Sequence, residues 1–183
     1  MKVILASGSP RRRELLEQAG IEYEVCPADI EEATNEVEPY RVVEDLSRQK
    51  AMAVAKSHKG ETILAADTVV ALDDKVLGKP RDEEHAFEML SELSGRLHQV
   101  FTGVTIVYPD NTINTFSVCT DVRMYDLTEK QIRDYIATKE PMDKAGAYGI
   151  QGRGALLIES IQGDYNNVVG LPLAIVYREL YNR

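Results

Sequence analysis

Hydrophobic and polar positions along this chain change period repeatedly, and the changes mark its elements. Lys2 to Ala6 is an apolar opening strand, followed by a Ser7-Gly8-Ser9-Pro10 turn. Pro10 suits the first position of a helix with Ser9 as its cap. Leu15, Leu16 and Ala19 then repeat at helical spacing up to Gly20, a stop signal. Tyr23 to Cys26 reads as a second strand. From Arg41 to Ser57, Val43, Leu46, Ala53 and Val54 form one helical stripe. Ile63 to Ala66 is a short apolar run, the pattern of a strand buried on both faces, and it stops at Asp67. Val69 to Leu72, an Asp73-Asp74 turn and Lys75 to Leu77 predict a tight hairpin that delivers Gly78-Lys79-Pro80. Asp82 caps a helix to Leu93. Gln99 to Tyr108 and Asn114 to Met124 are strands around Pro109-Asp110-Asn111, and Leu127 to Thr138 is helical. Leu156 to Ile161 reads as a buried strand and Gly163 to Asn167 as a polar turn. Pro172 opens a closing helix with Leu173, Val176 and Leu180 inward. Alternating strands and helices predict an α/β fold, and the hairpins predict a mixed sheet.

Four places break these patterns. Arg11, Arg12 and Arg13 occupy the first turn of the first helix. Helix N-termini favour acids, each mismatch costing roughly 0.3–1 kcal/mol. Arginines beside a small-residue loop with backbone N–H groups make an anion cradle, the alternative being a solvated basic turn. Lys50 falls inside the apolar stripe of its helix, where an ammonium must reach water or meet an anion such as a phosphate. If that anion belongs to a substrate, methionine at position 50 leaves stability unchanged or raises it. Asp67 is a carboxylate where a buried strand ends, the edge at which α/β sheets collect ligands. Finally, Asp143 to Gly152 carries glycines at 146, 149 and 152, permitting close backbone approach to a ligand.

A net charge of −9 excludes a general nucleic-acid binder, which needs a basic face. The 183 residues suffice for one sizeable core, and no apolar run approaches the ~18 residues of a membrane span. Cys26 and Cys119 form no metal or redox spacing, which points to a reducing, cytoplasmic compartment. His58, His85 and His98 lack paired ligand spacing, and the P-loop and Gly-x-Ser-x-Gly patterns are absent. The acidic run Asp29, Glu31, Glu32 reads either as a solvated loop or as a source of a metal carboxylate. Two carboxylates, Glu32 and Asp67, with cations from Arg11 to Arg13, Lys50 and Lys79, suit a phosphate-bearing substrate and a hard divalent ion.

The segments SGSPRRRELL, AADTVV with GKPRD, LSG followed by FTGV, EPMDKAGAYGIQG and GDYNNVVGLPL together resemble the Maf family of nucleoside triphosphate pyrophosphatases. The matches run from Ala6 to Pro172. The resemblance implies one domain over residues 1–183, an α/β fold with two lobes about a central cleft, similar to inosine triphosphate pyrophosphatases. It implies cleavage of a nucleoside triphosphate to monophosphate and pyrophosphate with Mg²⁺ or Mn²⁺. Asp67 would be the proton acceptor; Arg11, Arg12, Lys50 and Lys79 would bind the phosphates; Glu32 would assist water or, with Asp67, the metal. Arg12, Thr68 and Gln151 match positions that distinguish branches of the family, and DKAGAYGIQG resembles the dTTP- and UTP-hydrolysing branch. The alternatives within reach of the resemblance are the 7-methyl-GTP branch and a non-catalytic, nucleotide-binding regulator of cell division. The nucleotide is the expected partner, and nucleic acid and membrane are not; a homodimer is compatible with the sequence but not demanded by it.

Overall fold

A computed structural model describes residues 2–73 and 75–181. Among them, strands β1 (Lys2–Leu5), β2 (Glu22–Val25), β3 (Thr62–Leu72), β4 (Lys75–Leu77), β5 (Leu97–Val107), β6 (Ile113–Met124) and β7 (Ile158–Gln162) form one sheet. Its order is β2-β1-β3-β5-β6-β7, with β4 paired to β3. The sheet is mixed: β1 is parallel to both β2 and β3, while β3–β4 and β6–β7 are antiparallel. Among the described residues six α-helices accompany it: α1 (Pro10–Gln18), α2 (Pro39–Ala55), α3 (Glu83–Leu93), α4 (Glu129–Ile136), α5 (Tyr165–Val169) and α6 (Leu173–Tyr181). Short 3₁₀ turns fill Glu140–Asp143, Ala145–Ala147 and Gly152–Leu157. The expected mixed α/β fold is therefore present. The β3–β4 hairpin pairs Leu72 with Lys75 across a turn in which Asp73 is left-handed (φ 52°), a conformation aspartate tolerates. Asp74, the other residue of that predicted turn, lies outside the described residues.

The chain divides into two compact units. The first comprises Met1–Thr68, Thr102–Val118 and Gly170–Arg183. Ile4, Ala6, Ala51, Val54, Ile63, Ala65 and Val107 form a core cluster in it. Helix α2 buries Val42, Val43, Ser47, Ala51 and Val54, so its inward face is rotated from the predicted stripe, and Leu46 and Ala53 are only half-buried. A serine could replace an expected leucine because its hydroxyl is satisfied, donating to Glu44 O at 3.0 Å and sharing a hydrogen bond with Thr105 Oγ1 at 2.9 Å. Gly103 of β5 explains how closely α2 packs: a Cβ there would overlap the backbone of Val43.

The second unit comprises Val69–Phe101 and Cys119–Val169. Leu72, Leu77, Leu90, Leu93, Val122, Met124, Ile132 and Ile136 belong to its core cluster, so α3 and α4 supply much of it. Both helices begin with satisfied caps: Asp82 accepts from the His85 N–H at 2.8 Å, and Thr128 with Gln131 forms a capping box. Two expectations fail here. Leu156 to Ile161 is not a buried strand. Leu156 lies in a 3₁₀ turn and is 78% exposed, and β7, last in the sheet order, is mostly exposed. An outermost strand paired on one side need not be buried on two faces. The predicted polar turn Gly163 to Asn167 instead leads into α5. Asp164 Oδ1 accepts the Asn166 N–H, and buried Asn167 donates to Val100 O and to Thr120 Oγ1, both at 3.0 Å. Polar residues satisfied internally carry no apolar periodicity, so the helix was invisible to it.

Candidate active site

Asp67 does not end its strand, as the sequence predicts; β3 continues through it to Leu72. The partners of β1 on β3 nevertheless stop at Leu64 and those of β4 begin at Val70, leaving Asp67 and Thr68 between the two registers. These two residues are also the only ones of β3 that are half-buried rather than buried. Asp67 Oδ1 accepts a hydrogen bond from Lys50 Nζ at 2.5 Å. The same ammonium reaches Glu32 Oε2 at 2.9 Å. The lysine and aspartate side chains are 12% and 14% exposed, the glutamate 46%. Lys50 therefore answers its place beside the buried face of α2 with two of the protein's own carboxylates, not by snorkelling to water.

Arg12, the second of the three arginines, turns away from the solvated reading of that helix turn. Its Nε donates to Gly170 O at 2.8 Å, its Nη1 to Ser7 Oγ at 3.0 Å and its Nη2 to Thr68 Oγ1 at 3.1 Å. Three of the five guanidinium hydrogens are thus committed, and at most two remain for a ligand. Burial lowers the Arg12 pKa and the charge of Arg11 adds to the lowering, while Asp67 and Glu32 pull it back up. Thr68 in turn shares a hydrogen bond with Thr102 Oγ1 at 2.9 Å. Ser9, the expected cap of α1, makes no side-chain capping bond; Ser7 Oγ accepts the Ser9 N–H at 3.3 Å instead. Arg11 is half-buried on the same turn. Asp67, Thr68, Lys50, Glu32 and Arg12 thus fall together in the first unit. Sequence reasoning missed Ser7, Thr102 and Gly170, which lie in the quoted segments but carry no charge to mark them.

Lys79 and Gln151 belong to the second unit, and both are exposed. The Gly78 carbonyl accepts the Gly146 N–H at 3.0 Å, so the lysine's turn is stitched to the glycine-rich loop. That loop is a chain of 3₁₀ turns with Gly146 and Gly152 left-handed at φ 66° and 62°. A Cβ at Gly146 would press on Val70, which accounts for a glycine there without a ligand. Among the described residues no group of three His, Cys, Asp or Glu gathers to hold a metal. Glu32 and Asp67 do converge on one cation, the Lys50 ammonium. Carboxylate oxygens meeting at one cation position are the donors a hard divalent ion takes, completed by water and phosphate.

The Maf-like protein family matches residues 2–183. The chain belongs to the Maf family. Similar proteins named dTTP/UTP pyrophosphatase come from Agathobacter rectalis, 53% identical over 98% of this chain and 96% of that protein, and from Bacillus cytotoxicus, 52% identical over 98% and 94%. A third, from Carboxydothermus hydrogenoformans, is 52% identical over 98% and 97%. Among solved structures, a HAM1 protein from Coxiella burnetii aligns over 100% of both chains with a TM-score of 0.54 and 15% identity. The Ham1 protein of Staphylococcus aureus aligns over 98% of this chain and 100% of that one, with a TM-score of 0.52 and 14% identity. At those identities the likeness is one of fold, shared between this Maf protein and the HAM1 proteins.

Proposed function

We propose that this Maf protein is a nucleoside triphosphate pyrophosphatase that hydrolyses dTTP and UTP to the monophosphate and pyrophosphate. The observation that carries the reading is the agreement, at 52–53% identity over 98% of the chain, with three relatives named for that activity. The Asp67–Lys50–Glu32 cluster and the Arg12 network support it chemically. Water attacks the α-phosphorus, its proton passes to Asp67, and the bond from that phosphorus to the bridging oxygen breaks, pyrophosphate leaving with the electron pair. Lys50 orients the Asp67 carboxylate before substrate arrives. Arg12, with its remaining hydrogens, and Arg11 and Lys79 bind the phosphates. Glu32 and Asp67 would hold Mg²⁺ or Mn²⁺, which when bound neutralises phosphate charge.

Gln151 reads the base in this proposal. Its amide offers one donor and one acceptor group, matching the N3–H and a flanking carbonyl of uracil and thymine. Cytosine presents the opposite pattern, and each mispaired group desolvated on binding costs about 1–3 kcal/mol. Thr68 and Arg12 complete the selection. No helix among the described residues is long and apolar enough to cross a membrane. With a net charge of −9, a cytoplasmic enzyme whose partner is the nucleotide is the arrangement we propose. The test is a panel of triphosphates with Mg²⁺ or Mn²⁺ in ¹⁸O-water. The expected result is preference for UTP and dTTP, label in the monophosphate and unlabelled pyrophosphate. Label in orthophosphate, with a nucleoside diphosphate as co-product, would move the protein to another reaction class.

A further inference from the structure

The glycine-rich loop around Gln151 is held by side chains that neither the family resemblance nor the relatives' names assign. Glu140 opens the Glu140–Asp143 turn, and both its carboxylate oxygens accept the Arg153 N–H, at 3.1 and 3.0 Å. The carboxylate lies so close beneath Gly152 that a Cβ on that residue would overlap Glu140 Oε1. Gly152 is left-handed at φ 62°, which strains any residue with a side chain, and an added Cβ would push the Glu140 carboxylate aside. On the other side of Gln151, the Gly149 N–H donates to Tyr135 Oη at 3.2 Å. The Lys144 stem packs under Gly149, its carbons 2.8–2.9 Å from where a Cβ would stand, and its Nζ reaches back to Glu140 O at 2.5 Å. Gln151 is therefore the exposed middle of a segment pinned at Gly149 and at Arg153. Tyr135 is buried in the core of this unit, and Glu140 is half-buried.

We propose that Glu140 is a positioning residue for base selection: by gripping the Arg153 N–H under Gly152 it fixes Gln151 in the attitude that distinguishes uracil and thymine from cytosine. The inference rests on the proposed reading of Gln151 and adds to it a residue that touches no substrate. A glutamine amide discriminates between bases only if its donor and acceptor ends are held in register. A swinging amide serves cytosine as well as uracil. Glu140→Ala frees one anchor and leaves the Arg153 N–H to solvent; Glu140→Gln keeps an acceptor oxygen and with it most of the grip.

The experiment measures kcat and KM for UTP, dTTP and CTP in wild type, Glu140→Ala, Glu140→Gln, Gly152→Ala and Gln151→Leu, with hydrogen exchange at the Arg153 amide. In Glu140→Ala the UTP-over-CTP selectivity should fall about tenfold or more, through a raised KM for UTP at nearly unchanged kcat. Arg153 exchange should quicken, and Glu140→Gln should restore most of both. Gly152→Ala, which drives a methyl against the Glu140 carboxylate, should lose the same selectivity, and it decides the matter if Glu140→Ala does not fold. Unchanged selectivity in folded Glu140→Ala, or equal losses on all three nucleotides, overturns the proposal. If Gln151→Leu loses selectivity and Glu140→Ala does not, only the role of Glu140 fails. If wild type shows no preference for UTP over CTP, the reading of Gln151 fails and this inference falls with it.

Discussion

Lysine 50 replaced by methionine separates the site's electrostatics from its chemistry, because the effect is read without substrate. The apolar stripe seen in the sequence makes methionine there neutral or stabilising. The structure reverses that sign, since the ammonium lies 2.5 Å from Asp67 and 2.9 Å from Glu32. Glu32, 46% exposed, is screened by water, and its pair contributes under about 1 kcal/mol. The Lys50–Asp67 pair, at 12% and 14% exposure, stands between surface pairs and buried ones. Removing one partner of a buried pair costs about 3–5 kcal/mol, so a value of about 2 kcal/mol is expected here. For a chain of this length that is a fall in Tm of roughly 4–8 °C. Most of the loss comes from Asp67, left half-buried without its cation and within reach of another carboxylate. Lys50→Met with Asp67→Asn should therefore recover most of it, a coupling a double-mutant cycle in urea isolates. A single variant as stable as wild type, or more so, would refute the assignment of Lys50 as the cation that Asp67 depends on.

Three further outcomes follow from the same geometry. Asp67→Asn should remain folded, its amide oxygen still accepting from Lys50, while turnover of UTP drops about 10²–10⁴-fold; wild-type turnover in the purified variant would clear Asp67 of the proton-acceptor role. His98 is buried against the Tyr148 hydroxyl at 2.6 Å, and desolvation lowers its pKa from 6.5 to about 4, the Arg96 backbone pulling weakly the other way. Between those values the unfolded chain binds the extra proton, so this contribution is intact above pH 6.5 and is lost as pH falls towards 4, roughly 3 kcal/mol in all. Urea midpoints compared at pH 7 and pH 4 should differ less in His98→Asn than in wild type, and equal differences would sink the idea. Gly103→Ala should destabilise by more than about 2 kcal/mol, since its methyl would meet the Val43 backbone, which cannot rotate aside as a side chain can; a neutral result by thermal melting would mean that α2 shifts freely on β5.

The sequence made the strands and the larger helices legible because apolar periodicity reports burial directly. Leu173, Val176 and Leu180 are buried in α6 as their spacing predicts. It failed where polar groups are buried with partners. Ser47 took a place on the inward face of α2, and Asn167 anchored α5, each by hydrogen bonds to residues distant in the chain. The same limit governs the site. Charged Lys50, Asp67 and Glu32 stand out from their surroundings and do come together, but Asp67 proved to lie mid-strand because a carboxylate paired with a lysine need not end a buried run. Ser7, Thr102 and the Gly170 carbonyl, which fix Thr68 and Arg12, are uncharged, and only three-dimensional proximity shows their part.

The bond from Arg12 to the Gly170 carbonyl spans 158 residues. During synthesis, nascent chains gain local elements early and distant closures last, because a long loop must be closed before its contact is rewarded. The arginine therefore waits for a residue 158 positions downstream before its guanidinium is held on three sides. A product cut short before Gly170 can still carry Asp67, Lys50 and Glu32, yet Arg12 lacks one of the acceptors that fix its attitude. The finished arrangement of that arginine thus doubles as a mark that synthesis has passed Gly170, and fragments aborted earlier are left without it.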